Sequence, residues 1–230
     1  MTKPRPIVHV VDDDASFRSA IGELLGACGY RVSLYGSAKQ LLSTMQGRGI
    51  ACILLDVKMA GLSGPQLQGH LAEQGCHLPI IFLSGHGDIP TTVKTIKAGA
   101  EDFLTKPVNK EKLIDAIERA LARCHATQAQ ADRVSDLRSR FELLTPREKE
   151  AFGLLVQGKP HKQIAYEMGI SDRTVKLHRH QLVQKLKVRS LAELALIAER
   201  LGMLSEANGV LPFKNGRFDT VRSFDSQTTL

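Results

Sequence analysis

The sequence predicts an α/β fold, a doubly wound five-stranded parallel sheet, joined to a separate and smaller all-α unit. Three observations predict it. Short apolar runs alternate five times with amphipathic helical stretches over the first half of the chain. Two of those runs, 53–55 and 80–83, are continuously apolar, as strands covered on both faces must be. From 141 to 204 strand patterns give way to four successive helical ones.

The predicted strands are 7–11, 32–35, 52–55, 80–83 and 102–104. Between them, Phe17, Ile21, Leu24 and Cys28 share one helical face. Ser37 and Gln40 have the spacing of a capping box ahead of Leu41, Leu42 and Met45. Leu67 and Leu71 follow Pro65, and Val93 and Ile96 follow Asp88 and Pro90. Leu113, Ile117 and Leu121 mark the fifth helix. This first domain spans 1–123. Residues 124–142, rich in Ala, Gln, Asp and Arg, form a partly helical linker, and 143–204 are the all-α domain. The tail 205–230, with Asn208-Gly209 and Asn215-Gly216, is expected to be flexible.

Composition narrows the setting. The chain has 230 residues and is 43% hydrophobic, enough to fill two ordinary cores. Its four cysteines lie far apart without a CxxC pair, which argues against a disulfide framework or zinc module and favours a reducing, cytoplasmic location. Residues 1–6 are polar, and no apolar run approaches the ~20 residues of a membrane span. Net charge is +7, unevenly placed. Residues 1–125 hold 14 basic against 12 acidic side chains, whereas 141–204 hold 11 against 7. That excess suits a polyanionic partner, and on charge alone a solvated basic face fits equally well.

Chemistry-bearing residues gather at predicted strand ends. Asp12, Asp13 and Asp14 follow the first strand and Asp56 the third. In a flavodoxin-like strand order these strands are neighbours, flanking the point where ligands collect at carboxyl ends. Like charges packed there call for a cation, and an oxygen-only set with room for water suits Mg²⁺. A carboxylate beside Mg²⁺ can attack phosphorus. Ser84 ends the fourth strand, and Lys106 follows the fifth, where its ammonium can pair with a carboxylate and then with a phosphoryl group. Taken singly, Asp14 reads equally well as a helix N-cap. The turn at Lys106-Pro107 predicts a cis peptide bond, which costs only ~0.5–1 kcal/mol before proline.

A second constellation lies in the all-α unit. Thr145-Pro146-Arg147-Glu148 combines an N-cap, a first-turn proline and a capping glutamate. Ile164, Ala165 and Met168 form an apolar face, Gly169 stops that helix, and Ser171 caps the next. The second helix presents Arg173, Thr174, Lys176, Leu177, His178, Arg179 and His180, with Val175, Leu182, Val183 and Leu186 inward. A basic helix after a glycine turn fits the major groove of double-stranded DNA.

Both constellations resemble known families. Val10-Val11-Asp12-Asp13-Asp14, Leu54-Leu55-Asp56-Val57-Lys58-Met59, Leu83-Ser84-Gly85-His86-Gly87-Asp88 and Asp102-Phe103-Leu104-Thr105-Lys106-Pro107 resemble the receiver motifs of two-component response regulators. Leu144-Thr145-Pro146-Arg147-Glu148, Lys162-Gln163-Ile164-Ala165 and 174–180 resemble the LuxR-type domain of the NarL/FixJ family, and 184–191 its FixJ subfamily. The resemblance implies a transcriptional regulator phosphorylated on Asp56 by a sensor histidine kinase. It implies Mg²⁺ held by Asp13, Asp56 and the Lys58 carbonyl, with Asp12 acting through water. Ser84 and Phe103 match the family's switch pair, and Lys106 its lysine. Ala60 departs from the family's usual proline, and Lys58 and His86 occupy positions that tune phosphoryl lifetime. Lys176, Leu177 and His180 are implied to approach bases, and Lys162, Arg173, Thr174 and Arg179 to touch phosphate. A homodimer on phosphorylation, promoter DNA and RNA polymerase are the implied partners.

Two other classes compete. A metal-dependent phosphatase on a similar sheet needs a second acid two residues after its nucleophile, where this chain has Lys58. A receiver that binds partners without phosphorylation would not need the full acidic set. His70, Cys76 and His77 lack any standard zinc spacing.

Overall fold

The structure is a computed structural model; it describes residues 6–45, 49–85 and 89–205, with short strands at 209–210, 213–214 and 217–218. It divides into two compact units, 1–129 and 130–230. In the first, β1 (Ile7–Val11), β2 (Arg31–Tyr35), β3 (Ala51–Asp56), β4 (Ile80–Ser84) and β5 (Asp102–Thr105) form one parallel sheet ordered β2-β1-β3-β4-β5. Helices α1 (Ala15–Ala27), α2 (Ala38–Thr44), α3 (Gly64–Glu73), α4 (Ile89–Lys97) and α5 (Lys110–Glu142) connect and follow the strands.

Strand alternation sorts the side chains onto two faces. Val8, Val10, Cys52, Leu54, Ile81 and Leu83 pack with Ile21, Leu25, Leu113 and Ile117 of α1 and α5. Val11, Ile53, Leu55 and Phe82 pack with Leu41 of α2 and with Leu67 and Leu71 of α3. This double burial is why the central strands read as unbroken apolar runs.

Local signals set the helix starts. Asp14 accepts from the backbone N–H groups of Ser16 (2.9 Å) and Phe17 (3.2 Å). Ser37 accepts from Gln40 N–H at 3.3 Å, but the Gln40 side chain caps Gly36 N–H at 2.7 Å, one residue further back than a capping box requires. Lys106-Pro107 is cis.

Two expectations need correction. Cys28 is exposed at the C-cap of α1, and Leu25 takes the buried position instead. Val93 and Ile96 do not face the core: with Ile89 they form an exposed stripe, and Thr95 is the residue α4 buries. Apolar periodicity marks a helix face without saying what covers it. The segment 124–142, expected as a partly helical linker, lies wholly within α5, which runs unbroken for 33 residues. Ala, Gln and Arg favour helix enough to carry it. In the tail, Leu204–Ser205 pairs with Gly209–Val210 and Phe213–Lys214 with Phe218 and Arg217, antiparallel. The rest of 205–230, and Asp88 ahead of α4, lie outside the described residues.

In the second unit, α6 (Pro146–Val156), α7 (His161–Met168), α8 (Asp172–Leu186) and α9 (Leu191–Arg200) close around Phe152, Ile164, Val175, Leu182, Leu186 and Leu194. Thr145 and Glu148 form a reciprocal capping box: Thr145 N–H donates to the Glu148 carboxylate at 2.7 Å, and Glu148 N–H donates to Thr145 Oγ1 at 3.2 Å. Glu148, 2% exposed, also receives Lys185 Nζ at 2.7 and 2.8 Å, tying α6 to α8. Those bonds outweigh burial, which alone would raise it, and hold the Glu148 carboxyl below its ordinary range.

Candidate functional site

Because β1 and β3 are sheet neighbours, the residues at their carboxyl ends meet at one edge. Asp12 follows β1, Asp56 ends β3, Ser84 ends β4, and Lys106 follows β5. Lys106 Nζ donates to Asp12 Oδ2 at 2.6 Å and to Asp56 Oδ1 at 2.7 Å. It also sits 4.1 Å from the centroid of the Phe17 ring. The second oxygens are held by backbone: Asp12 Oδ1 accepts from Asp14 N–H (3.0 Å) and Asp56 Oδ2 from Lys58 N–H (2.9 Å). Asp12, Asp56 and Ser84 are buried, and Asp13 and Lys58 are exposed. Asp13 Oδ2 accepts from Ala60 N–H at 3.0 Å, which draws this carboxylate over the loop after Asp56.

The electrostatics come from crowding. Burial raises the Asp56 carboxyl above its ordinary value despite the hydrogen bond and charge of Lys106, and Asp12 beside it adds to the rise. Lys106 suffers the opposite effect of burial, but its bonds to Asp12 and Asp56 overcome it and leave the ammonium raised. Two buried carboxylates thus share one cation, with Asp13 adding a third negative charge nearby. An all-oxygen set with excess negative charge fits a hard divalent cation such as Mg²⁺. Among the described residues, no three His, Cys, Asp or Glu side chains make a complete ligand set. A cation here therefore needs a backbone carbonyl and water as well.

Phe103 lies half-buried on β5, its ring centroid 6.4 Å from that of Phe82. Phe82 in turn touches Gly64, a residue sequence reasoning missed. A Cβ at position 64 would lie 2.4 Å from the Asp56 carbonyl oxygen and 2.9 Å from Phe82. Only glycine lets α3 start against the backbone of the acidic residue. Phe17 and Arg18, whose guanidinium donates to the Asp12 carbonyl at 2.6 Å, were also missed as supports of this edge.

In the second unit, α7 ends at Gly169 in the left-handed conformation (φ 66°), and Ser171 Oγ caps α8 by accepting from Thr174 N–H at 3.2 Å. Along α8, Arg173, Lys176, Leu177, Arg179 and His180 are exposed, and Thr174 is half-buried against Ser171. His178 is half-buried, with its Nδ1 shielded and unpartnered, so it is not part of the presented face. Lys162 is exposed on α7, close enough to the start of α8 to help hold the Asp172 carboxyl low, after the larger effect of the Lys176 hydrogen bond.

Comparison with known proteins gives these two geometries a family. Residues 8–118 match the response regulator receiver domain, and 142–198 match the luxR family of bacterial regulatory proteins. The chain is 41% identical over 201 residues to the response regulator protein TmoT of Ectopseudomonas mendocina, spanning 87% of this chain and 91% of TmoT. It is 35% identical over 199 residues to the transcriptional regulatory protein FixJ of Bradyrhizobium diazoefficiens, spanning 86% of this chain and 97% of that one. The solved structure of response regulator StyR is similar with a TM-score of 0.77 at 41% identity, over 86% of this chain and all of StyR.

The chain belongs to the response regulators. In this response regulator the receiver comes first and the luxR-family domain second, as the two sets of motifs predict. The structure brings Asp12, Asp56 and Lys106 into direct contact, with Ser84 at the same edge. Lys176, Arg179 and His180 line a shallow hollow together with Val183 and Arg189. Arg189 was absent from the expected set because it lies beyond the end of α8. Lys162, Arg173, Thr174 and Leu177 do not line that hollow. His86 lies outside the described residues.

Proposed function

We propose that this response regulator is a transcription factor switched by phosphorylation of Asp56. The observation that carries the reading is the double contact of Lys106 with Asp12 and Asp56 at the sheet edge. In the transfer step an Asp56 carboxylate oxygen bonds to the phosphorus of a phosphohistidine on a sensor kinase. The phosphorus–nitrogen bond breaks, and its electron pair leaves with the imidazole. Asp13, Asp56 and the Lys58 carbonyl would hold Mg²⁺, with Asp12 reached through water. The ion supplies neutralising charge to the phosphoryl oxygens. Lys106 releases its bond to Asp56 and pairs with the incoming phosphoryl group.

The new group is then sensed locally. Ser84 donates a hydrogen bond to it, and Phe103 turns into the space this opens beside Phe82. The exposed stripe Ile89, Val93 and Ile96 supports a dimer face running from α4 to α5 that this rearrangement completes. Two luxR-family domains then meet DNA together. Lys176, Leu177 and His180 read bases, while Lys162, Arg173, Thr174 and Arg179 hold phosphates. The chain works in the cytoplasm on promoters, with RNA polymerase as a further partner and no catalysis beyond accepting its own phosphoryl group.

Incubation with acetyl phosphate, followed by a phosphate-affinity gel, tests this reading. The protein should shift only when Mg²⁺ is present, and Asp56→Asn should abolish the shift. A full shift in Asp56→Asn, or one indifferent to chelation of Mg²⁺, removes the assignment.

A further inference from the structure

We propose that Arg189 and Arg179 together grip one DNA backbone phosphate in the hollow beside α8. The proposal rests on the DNA-binding reading above and adds a residue outside the recognition helix. Lys176, Arg179, His180 and Val183 stand at i, i+3, i+4 and i+7, so they share one face of α8. Arg189 completes the hollow from the turn after that helix.

That turn is built to hold Arg189 there. Lys187 adopts a left-handed conformation (φ 54°, ψ 44°) and ends α8. Val188, 9% exposed, then anchors in the domain core. With Val188 inward, Arg189 emerges on the surface. Its backbone N–H donates to Glu193 Oε2 at 2.8 Å, which fixes the main chain from the start of α9. The backbone of Arg189 is therefore placed before any ligand arrives, so binding need order only its side chain.

Several cations of this domain are already committed to acids. Lys149, Lys159, Lys185 and Arg147 are each paired with a glutamate, and Lys176 with Asp172. Among the described residues, Arg179 and Arg189 form no ion pair with any carboxylate. The Lys176–Asp172 pair is exposed and easily given up when Lys176 meets DNA. Arginine's planar fork suits a phosphate, and two of them lining one hollow can share a single tetrahedral anion. The contact is to the backbone, so it carries no base preference.

The test uses the full chain and a short fluorescent duplex of random sequence, titrated by anisotropy at several salt concentrations. Arg189→Ala should weaken binding about three- to ten-fold near ~100 mM salt and reduce the salt-dependence slope by about one. Arg189→Lys, which keeps the charge, should keep most of that slope. The double variant with Arg179→Ala should lose less than the product of the two single losses, because both grip the same phosphate. Circular dichroism of each variant should match the parent. An unchanged affinity and slope in Arg189→Ala, with the parent binding normally, overturns the proposal, as does full independence of the two arginines. Failure of the parent to bind duplex at all sinks the DNA-binding reading itself and this inference with it.

Discussion

At position 64 a hydrogen atom is all that fits. The Asp56 carbonyl oxygen and the Phe82 ring lie closer to a would-be Cβ than real contacts allow, and the nearest neighbour is backbone that cannot rotate away. Gly64→Ala should cost about 1–3 kcal/mol in urea denaturation and slow phosphorylation by displacing Asp56. A stability equal to the parent's would contradict this. A second residue-scale consequence concerns pH. Glu148 has a depressed pKa in the folded domain, so its contribution is fully present above the ordinary glutamate value of ~4.3 and is lost as pH falls through the folded value. Glu148→Gln should therefore flatten the decline of melting temperature below about pH 5. An unchanged acid limb would show that the pair with Lys185 does not contribute. Asp12, Asp56, Ser84 and Lys106 were legible as candidates because each sits at a strand end, a position that hydrophobic patterning exposes. Gly64 and Arg189 were not, because close approach and return of the chain past Lys187 exist only in three dimensions.

Among the elements, α4 is the one whose apolar side chains are left uncovered. It buries Thr95, while its apolar stripe faces outward. Gln68 of α3, itself buried, donates its amide to the carbonyls of Thr95 (3.3 Å) and Ala98 (3.2 Å). This fastens the C-terminal turn of α4 to α3. Ile96→Lys, on the exposed stripe, should change stability by less than about 0.5 kcal/mol yet abolish phosphorylation-dependent dimerisation in sedimentation of the full chain. A dimer that persists would move the interface elsewhere. On α8, Lys176→Ala should lose about 1–3 kcal/mol on the preferred site and relax sequence preference. Arg179→Ala should weaken all sequences alike. Equal losses on preferred and random DNA in both variants would refute that division of labour. The five strands were readable from apolar runs bounded by turns, and the luxR-family helices from their caps. The continuity of α5 was not, because its polar middle gives no periodic signal and its helicity rests on propensity alone.

For the whole molecule, the account joins a charge event on one domain to DNA binding by the other. A phosphoryl group at Asp56 can bias only an element with two packed states, and in the proposed switch Ser84, Phe103 and α4 supply them. Dimerisation then converts the second DNA contact into an intramolecular one, which can raise affinity ~10²–10⁴-fold without any new contact to DNA. In the proposed switch, Asp56 controls this gain. Anisotropy of the full chain on duplexes selected from a random pool, with and without acetyl phosphate and Mg²⁺, for the parent and Asp56→Asn, measures it. Tightening by about two orders of magnitude is expected in the parent and none in Asp56→Asn. Equal tightening in both proteins, or none in a parent shown by gel to be phosphorylated, would contradict it.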